Sequence, residues 1–178
     1  VCEIVDARIP MSSRNPDIDS ICGNKPRMVI LNRSDLADPQ MTAQWMNYFK
    51  EQGLTVIQTD CKSRKGINAF TPAVRSVLQE KIARNEAKGM SGKHLRAMVL
   101  GVPNVGKSSL INKLCGNKKA KVENRPGVTL TKQWVTTQVG LDLLDMPGVL
   151  WPKFEDENVG QNLAITGAIR DAILDTEE

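Results

Sequence analysis

Residues 101–108, with the sequence GVPNVGKS, match the pattern G-x-x-x-x-G-K-S/T, which surrounds phosphate groups in proteins. An apolar run at 97–100 precedes this segment, and a helical pattern begins near Lys107. In a strand–loop–helix arrangement, loop N–H groups and the helix N-terminus point at phosphate oxygens. We predict that Lys107 reaches the β- and γ-phosphates of a nucleotide and that the Ser108 hydroxyl ligates Mg²⁺. The other predicted phosphate contacts are Pro103, Asn104, Val105, Gly106 and Ser109.

Two segments beyond this loop are predicted to complete the reaction site. Asp145 follows the apolar run 141–144 and starts the sequence D-M-P-G, so its carboxylate can hold a Mg²⁺-bound water while the Gly148 N–H senses the γ-phosphate. In the sequence RPGVT, Thr129 offers a hydroxyl to the Mg²⁺ shell, and Gly127 is a predicted nucleotide contact. The predicted metal ligands are Ser108, Thr129 and Asp145, and the predicted catalytic residues include Lys107, Thr129 and Gly148.

Residues 32–35, with the sequence NRSD, follow the apolar run 28–31 and resemble the guanine-binding pattern N-K-x-D. A carboxylate at Asp35 can accept hydrogen bonds from guanine N1–H and from the 2-amino group. Adenine offers no such pair of donors, so a site built around Asp35 discriminates against ATP. Arg33 stands where the pattern has Lys, and its planar guanidinium can lie over the purine face. The remaining predicted base contacts are Asn32 and a loop of Thr59, Asp60 and Cys61, which would supply a backbone N–H to guanine O6.

Short apolar runs alternate with helical patterns along the chain. Five runs predict buried parallel strands, at 1–5, 28–31, 54–57, 97–100 and 141–144, and the β-branched segment 133–139 predicts a hairpin strand. Helices are predicted at 39–52, 67–87, 107–114 and 158–174. This alternation indicates an α/β fold, a three-layer sandwich around a mainly parallel sheet of about six strands. Every motif above follows a strand, and ligands of such sheets bind beyond the carboxyl ends of the strands.

The composition is that of an ordinary globular protein: of 178 residues, 40% are hydrophobic and 25% are charged. No apolar run approaches the roughly 18 residues of a membrane span, and we expect no signal peptide. The four cysteines form no C-x-x-C pattern, which disfavours a zinc site or a disulfide framework and favours a reducing cytoplasm. The net charge of +4 is uneven, because residues 79–132 carry 12 basic and 3 acidic side chains. That basic segment fits RNA or nucleotide phosphates, or else a solvated helix face.

The order of the motifs is unusual. In Ras-like GTPases the phosphate loop comes first and the base-reading segments come last, whereas here the order is reversed, as in a circular permutation. With the sequences DARIP at 6–10, SSRNP at 12–16 and GVLWPKF at 148–154, the chain resembles the YlqF/RbgA family of circularly permuted GTPases over essentially all its length. The resemblance implies one P-loop G domain over residues 1–178, with a guanine-reading half at 1–78, a tether at 79–95 and a phosphate and Mg²⁺ half at 96–178.

The resemblance also implies an activity and partners. Members of the family bind and hydrolyse GTP in late assembly of the large ribosomal subunit, so GTP or GDP, the subunit precursor and its rRNA are expected partners, in the cytoplasm. A C-terminal helical domain that contacts RNA is expected to be absent or truncated here. The family lacks a water-orienting glutamine after D-x-x-G, and Val149 occupies that position, which implies slow intrinsic hydrolysis. Asn104 matches a residue that helps hold K⁺ beside the phosphates in related GTPases, which implies a catalytic role.

Other interpretations of the sequence stay open. One is a nucleotide-sensing RNA-binding scaffold with negligible turnover alone, and another is a small-subunit assembly GTPase of the YjeQ type. An ATP-using P-loop kinase is disfavoured by Asp35. The single histidine, His94, is expected on the surface. The three tryptophans, Trp45, Trp134 and Trp151, are expected in the core or on a partly buried helix face rather than as base-stacking platforms.

Overall fold

The computed structural model describes residues 1–90, 92, 94–116, 133–137, 140–151, 154 and 156–169. Two predicted site residues, Gly127 and Thr129, lie outside these ranges, as do residues 138–139 of the predicted hairpin strand and the end of the last predicted helix.

The described ranges contain six strands and six α-helices. The strands are β1 (Cys2–Asp6), β2 (Met28–Asn32), β3 (Thr55–Gln58), β4 (Leu95–Gly101), β5 (Gln133–Thr136) and β6 (Leu141–Asp145). The helices are α1 (Ile18–Cys22), α2 (Pro39–Glu51), α3 (Phe70–Val77), α4 (Gln79–Ala87), α5 (Lys107–Cys115) and α6 (Glu157–Ile165), with 3₁₀ turns at Ser34–Leu36 and Ile67–Ala69. Within these ranges, no helix combines the length and apolar character needed to cross a bilayer.

The strands form one sheet in the order β3-β2-β1-β4-β6-β5, in which only β5 runs antiparallel to its neighbour. This confirms the predicted α/β fold with a mainly parallel sheet. The chain builds outward in one direction from β1 through β2 to β3. It then starts again at β4 on the other side of β1, forms the edge strand β5, and returns with β6 between β4 and β5, so the winding direction reverses between β1 and β4. Ligands of open α/β sheets bind in the crevice at such a reversal, beyond the carboxyl ends of the strands.

Alternating side chains of the strands fill a core on each face of the sheet. In β1, Cys2 and Ile4 join the larger cluster, which includes Phe70 of α3 and Leu110 of α5. Val5 lies on the opposite face, in a smaller cluster whose helical member is the fully buried Phe49 of α2. The period of two residues per face in a strand therefore places helices on both faces, as the three-layer prediction requires.

Two predicted helices are wrong in extent. The helix predicted at 67–87 is interrupted at Leu78, which separates α3 from α4. The helix predicted at 158–174 ends at Ile165, and Gly167 then adopts a left-handed conformation with φ of 75°. Glycine takes this conformation without the steric cost that other residues meet, so it stops helices efficiently.

The prediction for the tryptophans is confirmed for two of the three. Trp45 packs against the smaller cluster, and Trp151 packs against the larger one. Trp134 is 56% exposed, so its predicted burial is wrong, and the guanidinium of Arg96 lies 5.4 Å from its ring centroid. Its neighbour in β5 is the buried Val135, and the alternation of a strand sends Trp134 to the opposite face. His94 lies at the surface as predicted, with Nδ1 3.2 Å from Asp142 Oδ1.

Candidate nucleotide-binding site

Asn32 connects three loops at the carboxyl ends of the strands. It is the last residue of β2 and is 1% exposed. Its Nδ2 donates a hydrogen bond to the carbonyl oxygen of Val105 in the phosphate loop over 2.9 Å. Its Oδ1 accepts from the hydroxyl of Thr59 at 3.0 Å and from the Cys61 thiol at 3.5 Å. Both ends of the amide therefore contact protein, and Asn32 holds the phosphate loop and the second base loop in register.

The close approach of Asn32 explains the second glycine of the phosphate loop. Gly106 immediately precedes α5 and has φ of 93°, a conformation that favours glycine. A Cβ atom at this position would lie 2.3 Å from Nδ2 of Asn32, well inside van der Waals contact. The remaining predicted contacts lie where the sequence places them. The loop before α5 contains Pro103 and Val105, and the first turn of α5 contains Ser108 and Ser109.

Arg33, in the NRSD segment, contacts the phosphate loop directly. Its terminal nitrogen donates to the carbonyl oxygen of Asn104 at 2.6 Å and approaches Asn104 Oδ1 at 3.2 Å. Asn104 Nδ2 in turn lies 3.5 Å from the Thr166 carbonyl oxygen, just beyond α6. A Cβ atom on Gly167 would lie 2.8 Å from the same Nδ2. The Asn104 side chain therefore lies between the NRSD segment and the chain after α6.

The two base loops are joined to one another. Asp35 is exposed in the 3₁₀ turn after β2, where its side chain also interacts with that of Asp60. The backbone N–H of Ser34, the preceding residue, donates to the Thr59 carbonyl oxygen at 3.2 Å. Arg33, which begins this turn, has a left-handed backbone with φ of 59°. These bonds fix the position of the turn that carries Asp35 relative to the loop after β3.

Asp60 folds the second base loop rather than facing outward. It is 3% exposed, and its carboxylate accepts from the N–H groups of Lys62 at 2.7 Å and Ser63 at 3.0 Å. Burial alone would raise the pKa of Asp60, but the hydrogen bonds from Ser63 and from the Lys62 backbone outweigh it and lower the pKa. Cys61 lies between Asp60 and Lys62, and within the described residues its N–H has no protein acceptor. The sequence predicts that this loop supplies a backbone N–H to guanine O6, and the N–H of Cys61 is available for that role.

Lys107 and Asp145 form a buried pair below the phosphate loop. Lys107 is 6% exposed and Asp145 is fully buried, and Lys107 Nζ lies 3.9 Å from Asp145 Oδ1. Burial lowers the pKa of Lys107, and the charge of Asp145 opposes that shift. A buried ammonium group beside a loop of N–H donors is suited to bind an anion. A bound anion would offset the cost of burying the Lys107 charge.

The same carboxylate and the start of α5 fit a hard divalent cation. Ser108 at the helix start and Asp145 at the end of β6 supply a hydroxyl and a carboxylate, the oxygen ligands that Mg²⁺ prefers. In the described part of the chain, no group of three or more His, Cys, Asp or Glu side chains could form a metal cage. Mg²⁺ is ordinarily held by one or two protein groups together with substrate phosphates and water, which agrees with this sparse set.

Gly148 packs directly against the phosphate loop. A Cβ atom on Gly148 would lie 2.7 Å from both the nitrogen and the Cα of Pro103. The next residue, Val149, donates its N–H to the Gly101 carbonyl oxygen at 3.2 Å, and its side chain is 49% exposed. The D-x-x-G segment therefore reaches the phosphate loop through backbone contacts that only a glycine permits.

The structure thus brings together the described residues of the phosphate loop, both base loops and the D-x-x-G segment. Sequence reasoning did not find Thr166 or Gly167, which meet Asn104 from a segment 62 residues away. A glycine after a helix was the only signal, and it indicates a helix end rather than a contact.

Comparison with known proteins agrees with these motifs. A protein family described as 50S ribosome-binding GTPase matches residues 96–175. Ribosome biogenesis GTPase A from Priestia megaterium is 53% identical over all of this chain, which covers 62% of that protein. Mitochondrial ribosome-associated GTPase 1 from Xenopus tropicalis is 38% identical over 98% of this chain and 58% of its own length. The chain thus spans about three-fifths of the length of these relatives.

Solved structures show the same relationship. The crystal structure of GNP-bound YlqF from T. maritima is 27% identical with a TM-score of 0.66, over 94% of this chain and 60% of that one. YjeQ from Thermotoga maritima, at 21% identity and a TM-score of 0.51 over 83% of this chain and 47% of that one, shares the fold alone. The motifs, their permuted order and these similarities relate the chain to the YlqF/RbgA family of circularly permuted GTPases.

Proposed function

We propose that this protein binds GTP and GDP and hydrolyses GTP as a switch in assembly of the large ribosomal subunit. The observation that carries the proposal is the hydrogen bond from Asn32 to the Val105 carbonyl oxygen. It joins a guanine-reading segment to a phosphate loop, so that one ligand with a guanine base and a phosphate chain can contact both. A P-loop kinase that uses ATP would not need an exposed carboxylate such as Asp35 at this position, because adenine offers no pair of donors to it.

Each part of the site has a proposed role toward the nucleotide. Asp35 accepts hydrogen bonds from guanine N1–H and the 2-amino group, and the Cys61 N–H donates to O6. The N–H groups of residues 103–109 and the Lys107 ammonium bind the phosphates. Ser108 and Asp145, with Thr129, would hold Mg²⁺, which when bound neutralises charge on the β- and γ-phosphates. Gly127 is a proposed nucleotide contact in the same segment as Thr129.

Hydrolysis by this chain alone is proposed to be slow. The exposed side chain after Gly148 is the apolar Val149, which can neither donate a hydrogen bond to an attacking water nor accept one. Asn104 Oδ1 is a proposed ligand for K⁺ beside the phosphates. Since the Arg33 terminal nitrogen already lies 3.2 Å from this oxygen, K⁺ binding requires that contact to lengthen.

The proposed partners are the large-subunit precursor and its rRNA. Relatives at 47–53% identity are named ribosome biogenesis GTPase A, and this similarity to bacterial proteins supports action in the cytoplasm. We also propose that residues 1–178 form one G domain. Residues 1–78 read guanine, residues 79–95 act as the tether, and residues 96–178 bind phosphates and Mg²⁺.

The proposal is tested by GTP turnover with K⁺ or Na⁺, in the absence and presence of large-subunit precursor particles. We expect low turnover alone and stimulation by the precursor in K⁺, with no response to small-subunit particles. Asn104→Ala should remove the advantage of K⁺ over Na⁺, and Lys107→Ala should abolish turnover. Tight nucleotide binding with no turnover under any condition would favour a nucleotide-sensing scaffold, and stimulation by small subunits would favour a factor of the YjeQ type.

A further inference from the structure

The loop after β3 carries a cluster of cations that has no role in the proposed nucleotide site. β3 is an edge strand of the sheet, so the loop at its carboxyl end lies at the border of the site. Residues 62–65, with the sequence KSRK, follow directly after Cys61, the proposed donor to guanine O6. The side chains of Lys62, Arg64 and Lys65 are all exposed. We call residues 62–65 the KSRK loop.

The backbone of the KSRK loop is closed by hydrogen bonds. The N–H of Asp60 donates to the Lys65 carbonyl oxygen at 2.9 Å, and the Asp60 carboxylate accepts from the N–H groups of the first two loop residues. Gly66 follows the loop with φ of 74°, and a Cβ atom there would overlap the Gln58 carbonyl oxygen. The next residue, Ile67, is buried in the larger cluster. The loop is therefore anchored at both ends, and its three cations extend from a fixed backbone.

Arg64 adopts a backbone conformation that is unfavourable for its residue type. Its φ is 67°, in the left-handed region that favours glycine. In the described part of the chain, the other non-glycine residues with positive φ are Arg33 and Asn104, which contact each other inside the proposed nucleotide site. A glycine or an asparagine would turn the chain at position 64 with less strain. An arginine at this position indicates a use for its side chain.

The cations of the KSRK loop have no partner among the described residues. No ion pair joins them to a carboxylate there, and the carboxylate of Asp60 is buried against loop N–H groups. The basic helix α4 differs, because Glu80 and Glu86 lie among its cations, and Glu80 precedes Arg84 by four residues, the spacing at which opposite charges on a helix attract. The KSRK loop instead presents three positive charges within four residues, with no acidic side chain between them.

The composition of the KSRK loop favours the phosphates of a nucleic acid over an acidic protein. The loop exposes ammonium, guanidinium and hydroxyl groups and contains no apolar or aromatic side chain. Protein interfaces depend on apolar and aromatic anchors, whereas phosphate contacts need cations and hydrogen-bond donors. A loop without an aromatic ring also offers no platform for base stacking. The expected ligand is therefore a nucleic-acid backbone, bound with little preference for sequence.

We propose that Lys62, Arg64 and Lys65 bind the phosphate backbone of RNA beside the guanine site. The inference rests on the proposed function, because the ribosomal precursor is the source of RNA rather than DNA. It assigns an RNA contact to the G domain itself, at a place outside the basic segment 79–132. Since Cys61 immediately precedes the KSRK loop, bound RNA would lie next to the nucleotide.

The test measures the dissociation constant of a fluorescein-labelled RNA hairpin of mixed sequence by anisotropy, from about 50 to 200 mM KCl, with Mg²⁺ and GDP present. The triple variant Lys62→Gln, Arg64→Gln, Lys65→Gln should bind this RNA at least about tenfold more weakly. The slope of log affinity against log salt should also fall by about 2 to 3, because each lost phosphate contact removes about 0.7 to 0.9 from the slope.

The matched control removes the same charge from another surface. The triple variant Lys81→Gln, Arg84→Gln, Lys88→Gln changes the cations in and directly after α4. It should weaken binding of the hairpin less than about threefold. Equal weakening by the two triple variants would overturn the proposal, because it indicates attraction by net charge alone.

Arg64→Gly separates the side chain from the backbone. Glycine adopts the φ of 67° without strain, so the melting temperature should not fall, whereas RNA affinity should fall about three- to fivefold. If the triple variant of the KSRK loop does not fold, as judged by circular dichroism, then unchanged RNA affinity in Arg64→Gly decides against the proposal.

Two further results would contradict the RNA assignment. One is unchanged RNA affinity in the folded triple variant of the KSRK loop. The other is full displacement of the hairpin by polyglutamate at equal charge concentration, which indicates a site for an acidic protein. A protein that binds the hairpin through this loop but no GDP refutes the proposed function alone, whereas GDP binding without RNA binding refutes this inference alone.

Discussion

Asn32 and Val105 are 73 residues apart in the chain and are joined by a 2.9 Å hydrogen bond from side-chain amide to backbone carbonyl. In this chain the NRSD segment precedes the phosphate loop, and the proposed tether at 79–95 lies between them. The hydrogen bond therefore holds the NRSD segment and the phosphate loop, the two parts of the proposed nucleotide site, at a fixed distance from each other. The same amide also contacts Thr59, so one side chain sets the positions of three loops.

Gly106→Ala should damage nucleotide binding severely. The new methyl group would lie 2.3 Å from Asn32 Nδ2 and would force the Asn32 amide away from Val105. We expect at least a tenfold loss of GDP affinity, and a stability loss of about 1–3 kcal/mol from strain at positive φ. Isothermal titration and urea unfolding measure the two effects.

The matched control is Gly89→Ala in the tether. Gly89 has a similar φ of 70°, but in the described part of the chain no atom other than those of its chain neighbours lies within 4 Å of the added Cβ. Gly89→Ala should lose stability from strain at positive φ but keep the GDP affinity of the unmodified protein. Equal GDP affinities for Gly106→Ala and the unmodified protein would contradict the role assigned to Asn32.

Gly148→Ala should separate binding from hydrolysis. Its methyl group would lie 2.7 Å from the backbone of Pro103, so the D-x-x-G segment must move away from the phosphate loop. GDP affinity should change less than about threefold, while precursor-stimulated turnover should fall by about tenfold or more. Single-turnover assays measure the hydrolysis rate, and isothermal titration measures the GDP affinity. Gly160→Ala in α6 should behave like the unmodified protein, because among the described residues outside that helix turn its Cβ would meet Phe154 alone, at an ordinary 3.5 Å.

The sequence predicted the sheet well, and it placed the phosphate loop and the NRSD segment at the ends of strands, because each depends on local patterns: glycine spacing, apolar runs and turn residues. It failed where neighbours distant in sequence decide. The helical pattern continues through Leu78, yet the chain there separates two helices. Trp134 has the residue type of a buried strand, but its exposure depends on which sheet face the helices cover. The contact of Asn104 with Thr166 leaves no trace in either local sequence.

Glu3 should make the protein less stable as the pH rises. It is 5% exposed in β1, and burial raises its pKa above the usual 4.5, although the pairing with Arg14 opposes the shift. Because the folded state then retains its proton longer than the unfolded state, the free energy of unfolding falls as the pH rises above about 4.5 toward the raised pKa. Glu3→Gln should therefore gain stability relative to the unmodified protein across this interval, measured by urea unfolding at stepped pH.

Asp142 provides a control of opposite sign. Hydrogen bonds from His94 and Thr136 lower its pKa, so its stabilising contribution is present above the usual 3.8 and is lost as the pH falls through the lowered pKa. Asp142→Asn should be less stable than the unmodified protein near neutrality and should approach it in acid. A Glu3→Gln stability difference that does not vary with pH would argue against a raised Glu3 pKa.

Competitive titration of GTP, GDP and ATP in Mg²⁺ tests most directly whether the site reads guanine through Asp35. The measurement uses the unmodified protein and Asp35→Asn, whose amide can no longer accept from both N1–H and the 2-amino group. We predict that GTP and GDP bind, that ATP does not compete, and that Asp35→Asn loses at least about tenfold in guanine preference. Equal binding of ATP, unchanged in Asp35→Asn, would contradict the account and leave only a phosphate-binding loop.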